Sequence, residues 1–322
     1  MMRLGIVSTA DINRKVIPGA HASDKVDLVA VASRSQATAD EYAKEWEIER
    51  AYGSYEALLE DPGVDAVYIS LPNTMHREWS IRSLEAGKHV ICEKPFSRQP
   101  EDVEAAFDAA ERSGRHLTEA FMYRHNPQTA RLAELVRDGT IGDLRVIRAA
   151  FSYSLYDADN IRLRTDVDGG SLMDVGCYCV SGSRLLAGEP RSVTGHAYVG
   201  PSGTDWVFTG AMRFAGDVHA LFDCGTCLPE RDELEAIGTE GSLFLDDPWH
   251  CTEPVIELRR LGGDVERIEL ERVDSYRLEL ENLADAIAGD APLLLGREDA
   301  LGQARTIEAL SRSSASGTAV AL

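Results

Sequence analysis

The sequence predicts an α/β protein of two domains. A doubly wound parallel sheet comes first, and a second α/β domain follows, built on a large, mostly antiparallel open sheet. Three observations carry this. Short apolar runs alternate with helical stretches between Leu4 and Phe121, the pattern of right-handed crossovers between parallel strands. After about Tyr123 strand-like runs follow one another across short turns, which is antiparallel grammar. The length of 322 residues is enough for two cores. The domains are placed at 1–122 and 123–322, with the last helices able to pack back on the first domain.

In order, LGIV is a strand followed by a helix to about His21. VDLVAVAS is a strand, Ala37 to Trp46 a helix, and Ser54 to Leu59 a short helix ending at Asp61-Pro62-Gly63. VDAVYIS leads to Leu71-Pro72-Asn73, and MHREWSIRSLEAG is a helix closed by Gly87. HVICEK is stopped by Pro95, Pro100 to Ser113 is a helix closed by Gly114, and HLTEAF is the fifth strand. In the second domain Asn126 to Asp138 is a helix, Leu144 to Ser154 a long strand, and Gly170 to Ala187 a buried helix. The strand-like runs SVTGHAYVG, DWVFTGAMRF, DVHALFDCGT, ELEAIGTEGSLFLDD, VIELRRL and VERIELERV come next. Helices at Ser275 to Ala288 and Glu298 to Ser311 close the chain.

Composition narrows the function. With 33 basic and 54 acidic residues the net charge is −21, which repels nucleic acid and anionic membranes. No apolar stretch approaches the roughly 18 residues of a membrane span. No signal-peptide pattern opens the chain, so a cytoplasmic protein is expected. The six cysteines are Cys92, Cys177, Cys179, Cys224, Cys227 and Cys251. Cys224-x-x-Cys227 lacks the second pair of a zinc site, and Cys177-x-Cys179 lies in an apolar helical run. Buried thiols and no metal are expected.

Parallel sheets bind ligands at the carboxyl ends of their strands. The first such end is Ser8-Thr9-Ala10-Asp11-Ile12, where a dinucleotide fold would carry G-x-G-x-x-G and set a pyrophosphate on a helix N-terminus. Ser and Ala keep the approach close if the backbone avoids positive φ. Alone, this loop reads as a plain strand-helix turn rather than a nucleotide site. The second strand ends Ala32-Ser33-Arg34. A hydroxyl and a guanidinium there suit the 2′-phosphate of NADP, whereas NAD sites carry an acid; the bland alternative is a solvated Arg. Leu71-Pro72-Asn73 with His76, and Glu93-Lys94-Pro95, follow strands on the same edge. Lys94 is one of five lysines, and Pro95 ends its strand.

Asn73-x-x-His76, LEAGKHVICEKP at Leu84 to Pro95 and GGSLMDVGCYCVSGSRLL from Gly169 together resemble the glucose–fructose oxidoreductase, inositol dehydrogenase and rhizopine-catabolism (Gfo/Idh/MocA) family. The resemblance spans the whole chain. EAFMYRHNPQ at Glu119 to Gln128 and NIRLR at Asn160 to Arg164 are similar to the branch with dimeric dihydrodiol dehydrogenase and NADP-dependent D-xylose dehydrogenase. The resemblance implies a Rossmann domain, a loop at 8–12 that binds a nicotinamide cofactor without the glycine fingerprint, and NADP in preference to NAD. It implies Lys94 beside the nicotinamide and the reacting hydroxyl. Asp174 and Tyr178 are the acid and the later residue of the second motif; their i, i+4 spacing puts both on one helix face.

On this reading Tyr178 is general base in oxidation and acid in reduction. Its ordinary pKa of roughly 10 is lowered by the Lys94 ammonium, and Asp174 orients Lys94 or a sugar hydroxyl. Tyr123, Arg124, Asn160 and Arg162 suit a polyol, and Trp249 walls the site or an interface, or simply packs. The expected activity is an NADP-dependent oxidation of an aldose or cyclic polyol. Keto-sugar reduction, trans-dihydrodiol oxidation and a non-catalytic cofactor-binding sensor are the alternatives. Family members pair through the open sheet, so a homodimer or homotetramer is expected.

Overall fold

The computed structural model of the chain describes residues 1–155, 157 and 160–322. They form two compact units, Met1–Met122 with Asp274–Leu301, and Tyr123–Val273 with Gly302–Leu322. The first unit is therefore built from two separate chain segments.

In the first unit the elements run β1 (Met2–Val7), α1 (Asn13–His21), β2 (Val26–Ala32), α2 (Gln36–Glu45), β3 (Arg50–Tyr52), α3 (Tyr55–Leu59), β4 (Ala66–Ile69), α4 (His76–Glu85), β5 (His89–Glu93), α5 (Pro100–Ser113) and β6 (Leu117–Ala120). The six strands are ordered β3-β2-β1-β4-β5-β6, and all pairs are parallel. All four residues of β4 are buried, as in a strand covered on both faces. α5 shows the local logic: Pro100 at its start, Glu101 and Asp102 in the first turn, Arg112 in the last, and Gly114 at φ 62° as its left-handed stop. The three-residue β3 was not apparent from the sequence, being too short for any periodicity to register.

The second unit contains α6 (Pro127–Arg137), β7 (Leu144–Ser154), α7 (Cys177–Ala187), β8 (Ser192–Val199), β9 (Asp205–Arg213), β10 (His219–Gly225), β11 (Cys227–Gly238), β12 (Gly241–Leu245), β13 (Val255–Arg260) and β14 (Val265–Glu269). Helix α8 (Ser275–Ala288) belongs to the first unit and is capped by the Asp274 carboxylate, which accepts from the Tyr276 and Arg277 amides at 2.9 and 3.3 Å. α8 packs on α1, and Leu280 and Leu283 enter the core formed by Leu4, Ile6, Ile17, Tyr68 and Ile91. α9 (Arg297–Ser316) and β15 (Val320–Ala321) end the chain.

The second sheet has nine strands in the order β14-β13-β12-β11-β7-β10-β9-β8-β15. Its pairs are antiparallel except β7 with β10. The run ELEAIGTEGSLFLDD, expected as one strand, is the end of β11, a turn at Thr239 and Glu240, and β12. The expected helix from Gly170 begins with a π-helical turn, Leu172–Gly176, before α7.

Candidate active site

In the parallel sheet the strand ends are flush. Val7 pairs with both Ala32 and Ile69, Ile69 with Cys92, and Cys92 with Glu119. Ser8, Ser33, the Ser70–Asn73 loop and Glu93-Lys94 therefore share one carboxyl edge. The strand order reverses direction between β1 and β4, which is the ligand crevice of such sheets.

The 8–12 loop departs from one expectation. Ser8 does not avoid positive φ; it sits at φ 119°, a glycine-favouring conformation that costs a non-glycine residue about 1–3 kcal/mol. Hydrogen bonds offset this. Ser8 Oγ donates to the Ser70 carbonyl at 3.0 Å and lies 2.8 Å from Ser70 Oγ. It also accepts from the Ala10 amide at 3.1 Å, while Asn13 Nδ2 donates to the Ser8 carbonyl at 2.9 Å. The chain thus makes the glycine turn with a serine, and Ile12 leads into α1 without a side-chain cap. Thr9 is half-buried and Asp11 exposed, the latter beside Arg14 at 3.4 Å. At the end of β2 Ser33 is buried and Arg34 exposed. The Arg34 guanidinium partly counters the upward push that burial gives the Tyr55 phenol, and it has no hydrogen bond or ion pair among the described residues. Polar donors and a cation, with no carboxylate at this strand end, fit a phosphorylated ribose.

Lys94 is held through its neighbours. Glu93 Oε1 accepts from the Tyr68 hydroxyl at 2.5 Å, and Oε2 accepts from the Lys94 amide at 3.2 Å. The Lys94–Pro95 bond is cis. Beyond it, the Phe96 amide donates to buried Glu119 at 2.7 Å. His76 braces both loops: Nε2 lies 2.8 Å from the Leu71 carbonyl, and Nδ1 lies 3.1 Å from the carbonyls of Pro95 and Phe96. His76 has no exposed surface. The first turn of α4 points it inward, where its bonds hold the loops that carry the expected cofactor residues. Burial holds its pKa below the ordinary value, opposed by those carbonyls.

In the second unit, Gly170 starts the turn that carries Asp174. Its φ is 125°, and a Cβ there would lie 2.1 Å from Asp205 Oδ1. The close approach lets Asp205 Oδ2 accept from Ser171 Oγ and the Leu172 amide at 2.8 and 2.7 Å, which anchors the π turn. Asp174 lies in that turn and Tyr178 in α7, so the purely α-helical i, i+4 relation expected between them is replaced by a wider turn; such bulges mark functional sites. Asp174 Oδ2 accepts from the Tyr153 hydroxyl at 2.6 Å, and Oδ1 from Arg162 Nε at 3.0 Å. Asn160 Oδ1 in turn accepts from Arg162 N and Nη1 at 3.1 and 3.4 Å. Burial first, then the Asp174 charge, pushes the Tyr153 phenol up, so it donates.

The Tyr178 ring is caged by Phe151, Tyr123 and Trp249, with centroids 5.2, 5.7 and 6.0 Å away. The Tyr123 hydroxyl donates to Ser181 Oγ at 2.7 Å and Arg124 Nη1 reaches the same oxygen at 3.3 Å. The Trp249 indole donates to the Ala150 carbonyl at 3.0 Å. Tyr123 and Trp249 are 1% and 0% exposed, and both back the Tyr178 ring. Trp249→Ala is expected to cost about 3–5 kcal/mol, read as a lower urea midpoint; Trp249→Phe costs less.

Tyr153, Phe151, Asp232 and His250 were missed. Phe151 and Tyr153 were legible, since period-two alternation along β7 puts them on one face. Asp232 and His250 come from different elements, and no spacing links them. Among the described residues, ligand atoms of Asp232, Asp247 and His250 lie within 4.8 Å of one another. Asp247 Oδ2, however, already accepts from Thr252 N, Thr252 Oγ1 and Glu253 N at 2.5, 2.5 and 2.8 Å.

Residues 2–121 match the model of the oxidoreductase family with an NAD-binding Rossmann fold, and residues 129–244 that of the GFO/IDH/MocA C-terminal domain. The chain is 39% identical to D-xylose 1-dehydrogenase (NADP(+)) 2 of Haloferax volcanii over 330 residues, 100% of both chains. It is 33% identical to the trans-1,2-dihydrobenzene-1,2-diol dehydrogenase of Mus musculus, over 80% of this chain and 79% of that one. A 3-ketoreductase from Actinomadura kijaniata, crystallised with NADP and TDP-benzene, superposes with a TM-score of 0.91 at 29% identity over 97% of each chain. The chain belongs to the GFO/IDH/MocA oxidoreductase family, and its first unit carries that family's NAD-binding Rossmann fold.

Proposed function

We propose that the protein is an NADP-dependent dehydrogenase that oxidises a carbinol of an aldose, C1 of a pentose such as D-xylose in the first instance. The observation that carries this is the Ser33-Arg34 end of β2, which offers a cation where NAD sites offer a carboxylate, in a chain 39% identical throughout to an NADP-linked xylose dehydrogenase. The edge residues Ser8 to Ile12, Ser33, Arg34, Leu71 to Asn73 and Glu93-Lys94 hold the dinucleotide. Held there, the dinucleotide would supply the hydride acceptor for the carbinol carbon.

The chain's own residues handle the proton and the sugar. Tyr178 takes the hydroxyl proton in oxidation and returns it in reduction. The Lys94 ammonium holds the substrate oxygen and favours the phenolate; the reading requires both residues to act on that one oxygen. The two oxygens of Asp174 arrange Tyr153 and Arg162, which with Asn160 and Arg124 meet sugar hydroxyls. We assign cofactor binding to 1–122 and substrate binding and self-association to 123–322. The outer face of the nine-stranded sheet, with Arg148, Leu221, Asp223, Arg231, Glu233 and Phe244 around a cavity of about 560 Å³, is the proposed dimer contact. Free thiols at all six cysteines suit a cytoplasmic setting.

Thermal unfolding with each dinucleotide tests the cofactor. NADP⁺ raises Tm and NAD⁺ does so less; a shift with NAD⁺ alone contradicts the reading. Arg34→Asp raises the KM for NADP⁺ by about 10- to 100-fold, the loss of a charge-assisted hydrogen bond, and leaves that for NAD⁺ nearly unchanged.

A further inference from the structure

The π turn carries Asp174 and α7 carries Tyr178, and helix α9 bonds to the backbone between them. Buried Gln303 on α9 donates from Nε2 to the Cys177 carbonyl at 2.7 Å. That carbonyl and the Tyr178 amide belong to one rigid peptide plane, which ends at the Tyr178 Cα. Cys177 is the first residue of α7, so the bond falls where the helix changes its winding.

The Gln303 amide is itself held in one orientation. Its Oε1 accepts from Arg184 Nη1 at 3.1 Å. A guanidinium only donates, so the amide oxygen faces Arg184 and the amide nitrogen faces Cys177. Arg184 is fixed in turn by a two-point bond to Glu189, from Nε to Oε2 at 3.0 Å and from Nη2 to Oε1 at 2.6 Å. The Arg184 side chain is 3% exposed and that of Glu189 62%. Gly302 makes room for the pair: a Cβ there would lie 2.1 Å from Arg184 Nη2. A surface carboxylate, a buried guanidinium and a buried amide thus run in series to the peptide that leads into Tyr178.

We propose that Gln303 is a positioning residue for proton transfer by Tyr178, setting how the phenol stands out from α7. This rests on the role proposed for Tyr178 above. The rings of Phe151, Tyr123 and Trp249 cage the Tyr178 ring, but apolar contact is non-directional and lets a ring slide along its length. A hydrogen bond to the backbone is directional and fixes the point from which the ring projects. The phenol oxygen is at the far end of a long side chain. A small tilt of the peptide therefore becomes a shift of ~1 Å at that oxygen, and a misplacement of that size costs about 10²-fold in rate.

Gln303→Glu, made in wild type and in Tyr178→Phe, tests this. The carboxylate keeps an acceptor for Arg184, whose charge holds it ionised, and it turns a second acceptor toward the Cys177 carbonyl where wild type has a donor. Gln303→Met, which also lacks the donor, serves if the Glu variant folds poorly, and kcat is referred to the folded fraction. In wild type, Gln303→Glu is expected to lower kcat by about 10- to 100-fold. KM for the aldose and for NADP⁺ stays within about twofold, and the solvent deuterium isotope effect on kcat rises, because proton transfer becomes the slow step. In Tyr178→Phe, which has no such transfer left to lose, the same substitution costs less than about twofold. A bond that only supported the fold would lower Tm and take the same factor from both backgrounds. Equal losses in the two backgrounds, or a kcat for Gln303→Glu within about twofold of wild type, would overturn the proposal. If Tyr178→Phe turns over like wild type, the role of Tyr178 falls and takes this proposal with it; a slow Tyr178→Phe beside an unaffected Gln303→Glu sinks the proposal alone.

Discussion

Replacing Lys94 with Ala lowers kcat/KM by about three orders of magnitude or more and leaves Tm within about 2 °C of wild type. The first half follows from the proposed role of the ammonium, to act on the substrate oxygen and on the base together. Groups that act as a unit lose nearly all of their joint effect when one is removed. The second half follows from how the segment is held. Tyr68 and the Lys94 amide secure Glu93, His76 secures the Pro95 and Phe96 carbonyls, and Glu119 secures the Phe96 amide. Those bonds hold the backbone of the segment and persist in the variant. Lys94→Arg does not rescue, because a planar guanidinium replaces a compact point charge. Initial rates beside a thermal scan check both halves, and near-normal turnover in Lys94→Ala would remove the mechanism.

Tyr178→Phe lowers kcat by roughly 10²–10⁴-fold, the range of general acid–base catalysis, with a small change in KM. The ring contacts to Phe151, Tyr123 and Trp249 survive the substitution, so the packing around the ring is kept. Oxidation needs the base without its proton. The wild-type rate therefore climbs with pH until that group is ionised, and the variant lacks this limb. A variant that keeps both its rate and the limb would move the proton transfer to another residue.

The parallel sheet was legible because its strands and helices each carry a strong period. β4 and β5 read as apolar runs, α5 carried its own start and stop, and the registers brought the chosen loop residues to one edge. What stayed hidden depended on three-dimensional neighbours. The motif marked His76, yet its partners Pro95 and Phe96 lie 19 and 20 residues away, and only the fold shows that it braces loops from inside. Ser8 adopts a backbone that serine seldom takes, and the hydrogen bonds that support it come from Ser70 across the crevice. The π turn at Leu172–Gly176 leaves a 3.6-residue apolar pattern almost unchanged, so the sequence read it as plain helix. Trp249 presented as a large aromatic after an acidic turn, which suits a wall and a core equally; its neighbours decided for the core. His250 gave no signal because its partner Asp232 sits on another strand.

The most direct test of the central claim is the appearance of reduced NADP by absorbance when wild type is given NADP⁺ and a panel of aldoses, in low and in high salt. The account predicts steady NADPH formation with at least one pentose or hexose, and a slower reaction when NAD⁺ replaces NADP⁺. No reduced cofactor from any aldose in either salt, by protein that NADP⁺ stabilises against heat, would contradict it.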